Sequence, residues 1–332
     1  MTKSKEARQD FWERNRKSGG YLLRKRITKV GLSICRFLLL FGLCFLILQP
    51  LLSKISVSFM AEKDLYDPTV NIIPAHFTLS NYGVAKEIMG YWKAFRNSMV
   101  ISLTISILQI AVCTLVGYGF ARFKFPFKKF WFACVMLIIV IPPQVISNSL
   151  FINFRFFDIF GIIRAVTGKP LNLQGSVIPY YLMSAGCMGL KNGLYIYMIR
   201  QFFRNIPVDT EEAAYVDGCG MFKTFRKIML PEATPIITSC FLFAFVWQWT
   251  DGFYSDMFLG TTPLVSTSLA RVVDGISAYI QRITGIKTTV SVAYSDAILS
   301  AGTLMIVVPV LLIYLFAQRK FVESISSSGI KM

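Results

Sequence analysis

The run LLLFGLCFLIL, residues 38–48, carries no charged side chain. It constrains this chain more than any other feature does. In hydrocarbon, every backbone N–H and C=O must find a partner within the protein, which leaves the α-helix and the closed β-barrel as spanning structures. A barrel would show short segments of alternating polarity, whereas the runs here are continuous. A helix rises about 1.5 Å per residue, so about 20 apolar residues cross a slab roughly 30 Å thick. Six stretches reach that length: 32–59, 97–120, 130–150, 176–199, 236–257 and 295–316. The expected fold class is therefore all-α, a polytopic membrane protein with six transmembrane helices. Composition agrees, since 54% of the residues are hydrophobic and only 16% charged, too apolar for a soluble domain of this length.

Basic residues orient such a bundle, because Lys and Arg stay on the cytosolic side. Placing the N-terminus inside puts 23 of the 35 Lys and Arg on that face. Both termini and residues 200–235 are then expected to be cytosolic. The long charged N-terminus and the length of the first apolar run exceed what a cleavable signal shows, so 32–59 reads as a retained anchor. Most of the +17 net charge thus records topology and contact with membrane lipid. The basic stretch RKSGGYLLRKRITK abuts a span and belongs to no recognition module, so nucleic-acid binding is not expected.

Enzyme chemistry finds little material. The seven cysteines have no C-x-x-C spacing, and His76 is the only histidine, which leaves neither a metal site nor a Ser-His-Asp triad a full set of residues. Neither G-x-x-x-x-G-K-[ST] nor G-x-G-x-x-G occurs. Active transport by this chain would need an ATPase on another subunit.

One polar stretch interrupts the apolar pattern at 211–235, EEAAYVDGCGMFKTFRKIMLPEATP. Ile206-Pro207 can open a helix, and Asp209 with Glu212 has capping-box spacing. Gly218 suits a left-handed helix end, a second helix is expected over 221–229, and Leu230-Pro231 is expected to turn the chain into the fifth span. These elements make a rigid elbow on the cytosolic side.

The joint spacing of Glu212-Ala213-Ala214, Asp217-Gly218, Ile228, Leu230-Pro231 and Pro235 closely resembles the EAA loop of binding-protein-dependent ABC importer permeases. FTLSNYG, FRNSMVISL, YGFARFKFPFKK and the terminal QRKFVESISSSGIKM look like the maltose-permease-type branch of carbohydrate ABC importers. Cys219 after Asp-Gly, Thr250 after the tryptophan and the long polar LNLQGSVIPYYLMSAGCMGLKNG depart from that pattern. The resemblance implies a type I importer permease that pairs with a second permease subunit. It further implies two ABC ATPase subunits that hold ATP and Mg, an extracellular solute-binding protein, and a sugar substrate; no cofactor is expected on this chain itself. It implies that Glu212, Ala213, Ala214, Asp217, Gly218, Phe222, Leu230 and Pro231 dock the ATPase. The domain organisation that follows is a basic cytosolic segment 1–31, a permease domain 32–318 containing the coupling loop 200–235, and a cytosolic tail 319–332.

Polar residues within spans are costly in lipid and usually face an interior path. Gln144, Asn148, Lys191, Asn192, Trp247, Gln248 and Asp251 are the candidates for the substrate route. Counted from the inner edge, Lys191 lies about 13 Å deep, Gln248 about 18 Å and Asp251 about 22 Å, so a Lys191–Asp251 ion pair needs the full reach of the lysine. Trp247 and Trp249 could stack on a sugar or simply pack against neighbours. Pro142-Pro143 should break the third helix, as a kink or as a hinge. Two other functions stay open: a permease of the same architecture for an amino acid, peptide or anion, and a membrane-embedded enzyme using Lys191 and Asp251.

Overall fold

The protein is described by a computed structural model that covers residues 14–70, 72–286 and 289–329. The first part of the expected basic segment, 1–13, and residues 330–332 of the tail lie outside the described residues. Among those described, the regular secondary structure is helical apart from two isolated bridges, Met60 with Phe77 and Phe157 with Leu171. The main helices are α1 (Tyr21–Ser58), α2 (Ser80–Met89), α3 (Tyr91–Arg122), α4 (Lys128–Val140), α5 (Pro143–Arg155), α6 (Ile178–Ala185) and α7 (Asn192–Asn205). They are followed by α8 (Asp209–Val216), α9 (Met221–Thr224), α10 (Thr234–Thr250), α11 (Phe253–Leu259), α12 (Val265–Ala270), α13 (Val272–Thr284) and α14 (Val292–Gly329).

Three helices are long and apolar enough to cross a membrane unbroken, within α1, α3 and α14, and two bent pairs bring the count to at most five. Three of the six stretches expected to span are interrupted in the structure, the third stretch at the expected Pro142-Pro143 break. The third candidate, 130–150, bends by 102° between α4 and α5. Pro142 lacks an N–H and its ring excludes a helical neighbour, so Ile141 and Pro142 run extended before Pro143 opens α5. The fourth candidate, 176–199, is interrupted between Ala185 and Asn192, leaving pieces of 8 and 14 residues. The fifth, 236–257, stops at Thr250 and restarts at Phe253.

At the centre, α3 packs against α7 and α10. Contact with α7 is close because Gly117 has no side chain: a Cβ there would come within 2.9 Å of Ile199. Likewise, a Cβ on Gly193 of α7 would come within 2.8 Å of Ile139 and of the Val135 carbonyl on α4. One core cluster gathers around Tyr118, Tyr195, Ile199, Phe203, Phe225 and Met229. A second joins α2, α10, α12, α13 and α14 around Trp249, Val272 and Ile298. The third joins α3, α5, α6 and α11 around Ile105, Phe154, Tyr180 and Phe258.

The apolar window of α1 has none of its residues buried. Its C-terminal end is fastened through the 2.5 Å ion pair of Lys54 with Asp296 on α14 and the 2.8 Å contact of Ser58 with the Tyr82 hydroxyl. An unburied stripe of Leu, Ile and Phe on such a helix is suited to lipid or to another membrane subunit.

Candidate functional site

The elbow is built from α8, α9 and the turn into α10. Its first helix ends in a Schellman arrangement: the Cys219 N–H donates to Ala214 O at 2.9 Å, the Gly218 N–H to Tyr215 O at 3.0 Å, and Gly218 has φ +76°. The expected capping box does not form, because the N-cap is Val208, which has no side-chain acceptor. Asp209, Glu211 and Glu212 instead place negative charge in the first turn, where the helix dipole favours it. The second helix also differs from expectation. After Thr224 it passes into a π turn, Phe225–Met229, in which the Leu230 N–H donates to Phe225 O. Leu230 and Pro231 remain helical, and the chain bends by 72° at Ala233, between Met221–Glu232 and α10. Pro231 and Pro235 flank that bend, and both lack the N–H that would stiffen it.

The expected docking residues are distributed unevenly. Glu212, Ala213, Asp217, Gly218, Phe222 and Pro231 are exposed, Phe222 to 74%, and Leu230 is half-buried. Ala214, by contrast, is buried at 3% and packs inward, so its small size serves this chain's own packing. Consecutive helical residues point about 100° apart, and the two glutamates part accordingly. Glu212 faces outward. Glu211, which the sequence reading did not single out, is buried: its Oε1 lies 3.2 Å from Arg122 Nε and accepts from the Tyr118 hydroxyl at 3.1 Å.

A second feature lies where the helices break. A cavity of about 650 Å³ is lined by residues 138–144, 188–191 and 250–254, together with Ile146, Leu194 and Trp247. All three interruptions of the candidate spans therefore open on one space. Irregular backbone at membrane depth is tolerated where it lines a cavity, since its unpaired N–H and C=O groups then meet polar neighbours or water. The joint between α6 and α7 holds two non-glycine residues with positive φ, Cys187 at +58° and Lys191 at +62°, a conformation uncommon for such residues.

Of the candidate route residues, Gln144, Lys191, Trp247 and Asp251 line this cavity, whereas Asn148, Asn192 and Gln248 do not. Lys191 is exposed, with its ammonium 4.9 Å from the Trp247 ring centroid. No Lys191–Asp251 ion pair forms among the described residues. The Asp251 carboxylate is instead committed to the protein: it accepts from Tyr180 Oη at 2.5 Å, Ser255 N at 3.0 Å, Ser255 Oγ at 3.1 Å and Tyr254 N at 3.3 Å. It caps α11 and pins that helix to α6. An acid–base pair of Lys191 and Asp251 is thereby set aside. Trp249 is 1% exposed, donates to Ile306 O at 3.3 Å and belongs to the core.

Asn192 is fully buried, its amide oxygen taking a hydrogen bond from Gln109 Nε2, which also donates to Leu190 O at 2.5 Å. Gln109 was missed by the sequence reading. Its only signal was an amide inside an apolar run, ISILQIAVC. Exposed Asn148 lies on α5 beyond the cavity lining.

Residues 113–322 match the family of binding-protein-dependent transport system inner membrane components. The chain belongs to this family, a class of membrane transport components rather than enzymes. It is 28% identical over 255 residues to the osmoprotective compounds uptake permease protein GgtD of Synechocystis sp., covering 77% of this chain and 76% of that one. It is 25% identical over 293 residues to the arabinooligosaccharides transport system permease protein AraQ of Halalkalibacterium halodurans, covering 87% and 93%. Among solved structures, it resembles a chain of a bacterial ABC transporter involved in the import of the acidic polysaccharide alginate. There the TM-score is 0.66 at 16% identity, over 87% of this chain and 96% of that chain. That likeness establishes the type I ABC importer permease fold.

Proposed function

We propose that this chain is the membrane-spanning subunit of an ATP-driven importer for a sugar or oligosaccharide. The observation that carries the reading is the pairing of an exposed, Schellman-terminated elbow at 209–232 with a cavity lined by three helix joints. Such an elbow can accept displacement from an ATPase, and such joints can change shape around a solute. In this reading a second permease subunit pairs with the chain through surfaces that include the exposed face of α1. Two ABC ATPase subunits hold ATP and Mg and receive Glu212, Ala213, Asp217, Gly218 and Phe222. An extracellular solute-binding protein delivers the substrate. The interrupted fourth segment, counted with the three long helices and the two bent pairs, gives six passages, with both termini and the elbow in the cytosol.

The sugar assignment is supported by the name of the arabinooligosaccharide relative and by the apolar, aromatic and amide lining of the cavity around Trp247 and Gln144. A second reading, import of another small compatible solute, is favoured by the relative named for osmoprotective compounds. Identifying the solute that co-purifies with the binding protein separates the two.

The coupling test is co-purification of the ATPase with Glu212→Lys, together with solute uptake. Charge reversal at the exposed contact is expected to weaken attachment, and a variant that retains both the ATPase and normal uptake would remove the elbow from the mechanism. For topology, an impermeant thiol reagent applied outside sealed cells should leave Cys219 unmodified on a background lacking the other six cysteines.

A further inference from the structure

The elbow is joined covalently to α7 and α10, but its densest buried polar contacts are made with a third helix, α3, far away in sequence. Arg122, in the last turn of α3, holds the elbow and the chain just before it. Its Nε lies 3.2 Å from Glu211 Oε1, and its Nη2 donates to Ile206 O at 2.8 Å. One turn earlier, the Tyr118 hydroxyl donates to the same Glu211 oxygen at 3.1 Å. The Tyr118 ring lies 4.7 Å from Phe225 in the elbow's second half and 5.2 Å from Phe203 on α7. The Glu211 and Arg122 side chains are 8% and 10% exposed. A buried charged pair of this kind costs desolvation energy and is weak evidence for a stability role; it does fix geometry.

Near its middle, α3 holds the joint beside the cavity. Gln109 lies 13 residues before Arg122, about 20 Å along a continuous helix. It donates to Asn192 Oδ1 and to Leu190 O, the residues on either side of Lys191. Between these two fastenings α3 packs on α7 through the close Gly117–Ile199 approach, so the helix cannot slide freely against its neighbour. One rigid element therefore grips the elbow at its C-terminal end and the joint between α6 and α7 near its middle.

We propose that Glu211, clasped by Arg122 and Tyr118, yokes the elbow to α3, and that α3 carries the elbow's displacement to the cavity joint through Gln109 and Asn192. Glu211 is thus a positioning residue. Its neighbour Glu212 faces the ATPase, while Glu211 passes the motion inward. This rests on the docking role of the elbow proposed above.

The test uses the assembled transporter in membranes, on a cysteine-free background carrying Gln144→Cys in the cavity lining. The probes are ATP plus vanadate, which traps the ATPase, and a soluble thiol reagent whose labelling rate at position 144 reports the cavity. Glu211→Gln keeps shape and removes charge; Tyr118→Phe removes one hydroxyl and leaves the aromatic packing in place. Both are expected to retain the ATPase on purification while the ATP-driven change in labelling falls roughly fivefold or more, the lower end of ordinary coupling energies. The double variant should be no worse than the more severe single one, as for residues acting through one contact. A wild-type labelling response in both variants overturns the proposal. So does loss of the ATPase from either, which would make the cluster a docking or folding element. Glu212→Lys runs alongside: if that variant keeps its ATPase, the docking reading fails, and the two failures are told apart.

Discussion

Replacing Asp251 tests whether the joint between α10 and α11 is structural. Its carboxylate accepts four hydrogen bonds, two from backbone N–H groups, one from Ser255 Oγ and one from Tyr180 Oη, and the residue is 8% exposed. Asp251→Ala leaves the Tyr180 hydroxyl and the Ser255 N–H buried without that acceptor. Hydrogen bonds to a charged group contribute about 1.5–3 kcal/mol each, and an orphaned buried donor costs about 1–3 kcal/mol. The contributions are not additive, so the total should be about 3–5 kcal/mol, the upper end for a single substitution. Asp251→Asn keeps one acceptor oxygen and should lose about 1–2 kcal/mol, as should Tyr180→Phe. Thermal unfolding of the purified chain in detergent should rank the proteins as wild type, then Asn and Phe, then Ala. A double-mutant cycle between Asp251→Asn and Tyr180→Phe should show coupling, since the two share one bond. If Asp251→Ala unfolds at the wild-type temperature, the capping argument is wrong. If Asp251→Asn abolishes uptake with stability unchanged, the carboxylate serves the solute instead of the joint.

Three further outcomes follow from the geometry. At Gly218, φ +76° with open space around the Cα makes backbone conformation the only cost: Gly218→Asn should be nearly neutral and Gly218→Ala should cost about 1–2 kcal/mol. Gly218→Val should be worse again, read as falling ATPase co-purification across the series. In the cavity, Trp247→Ala and Gln144→Ala should reduce solute uptake without loss of assembly, whereas Asn148→Ala, outside the lining, should not; equal effects at all three positions would detach the cavity from transport. In the loop after α1, the His76 backbone N–H at 2.7 Å and then its ring at 2.7 Å hold the Asp64 carboxyl below its ordinary value. A lowered folded pKa means that this tether is complete above about pH 3.9 and is lost as pH falls through the lower folded value. The chain on either side of the Asp64–His76 contact should therefore stay protease-resistant at pH 5, and Asp64→Asn should expose it at neutral pH.

Long apolar runs and basic loops were enough to establish a helical membrane protein from the sequence, because the hydrocarbon slab allows so few solutions. The elbow was legible too. Gly218 announced its left-handed turn, and Pro142-Pro143 announced the break in the third candidate span, since glycine and proline act through local backbone sterics. Other features depended on neighbours distant in the chain. Nothing in EEAA says which glutamate is buried; that depends on Arg122 and Tyr118 arriving from α3, about 90 residues earlier. Nothing local says that Asp251 would spend its charge on Tyr180 and α11 while Lys191 turned to Trp247. Hydrophobicity read along one dimension reports length and polarity, so it gave no sign of the interruptions in 176–199 and 236–257. Only three-dimensional packing decided that those two would break, and that they would meet the proline break around one cavity, where exposed backbone groups have polar company that lipid would not supply.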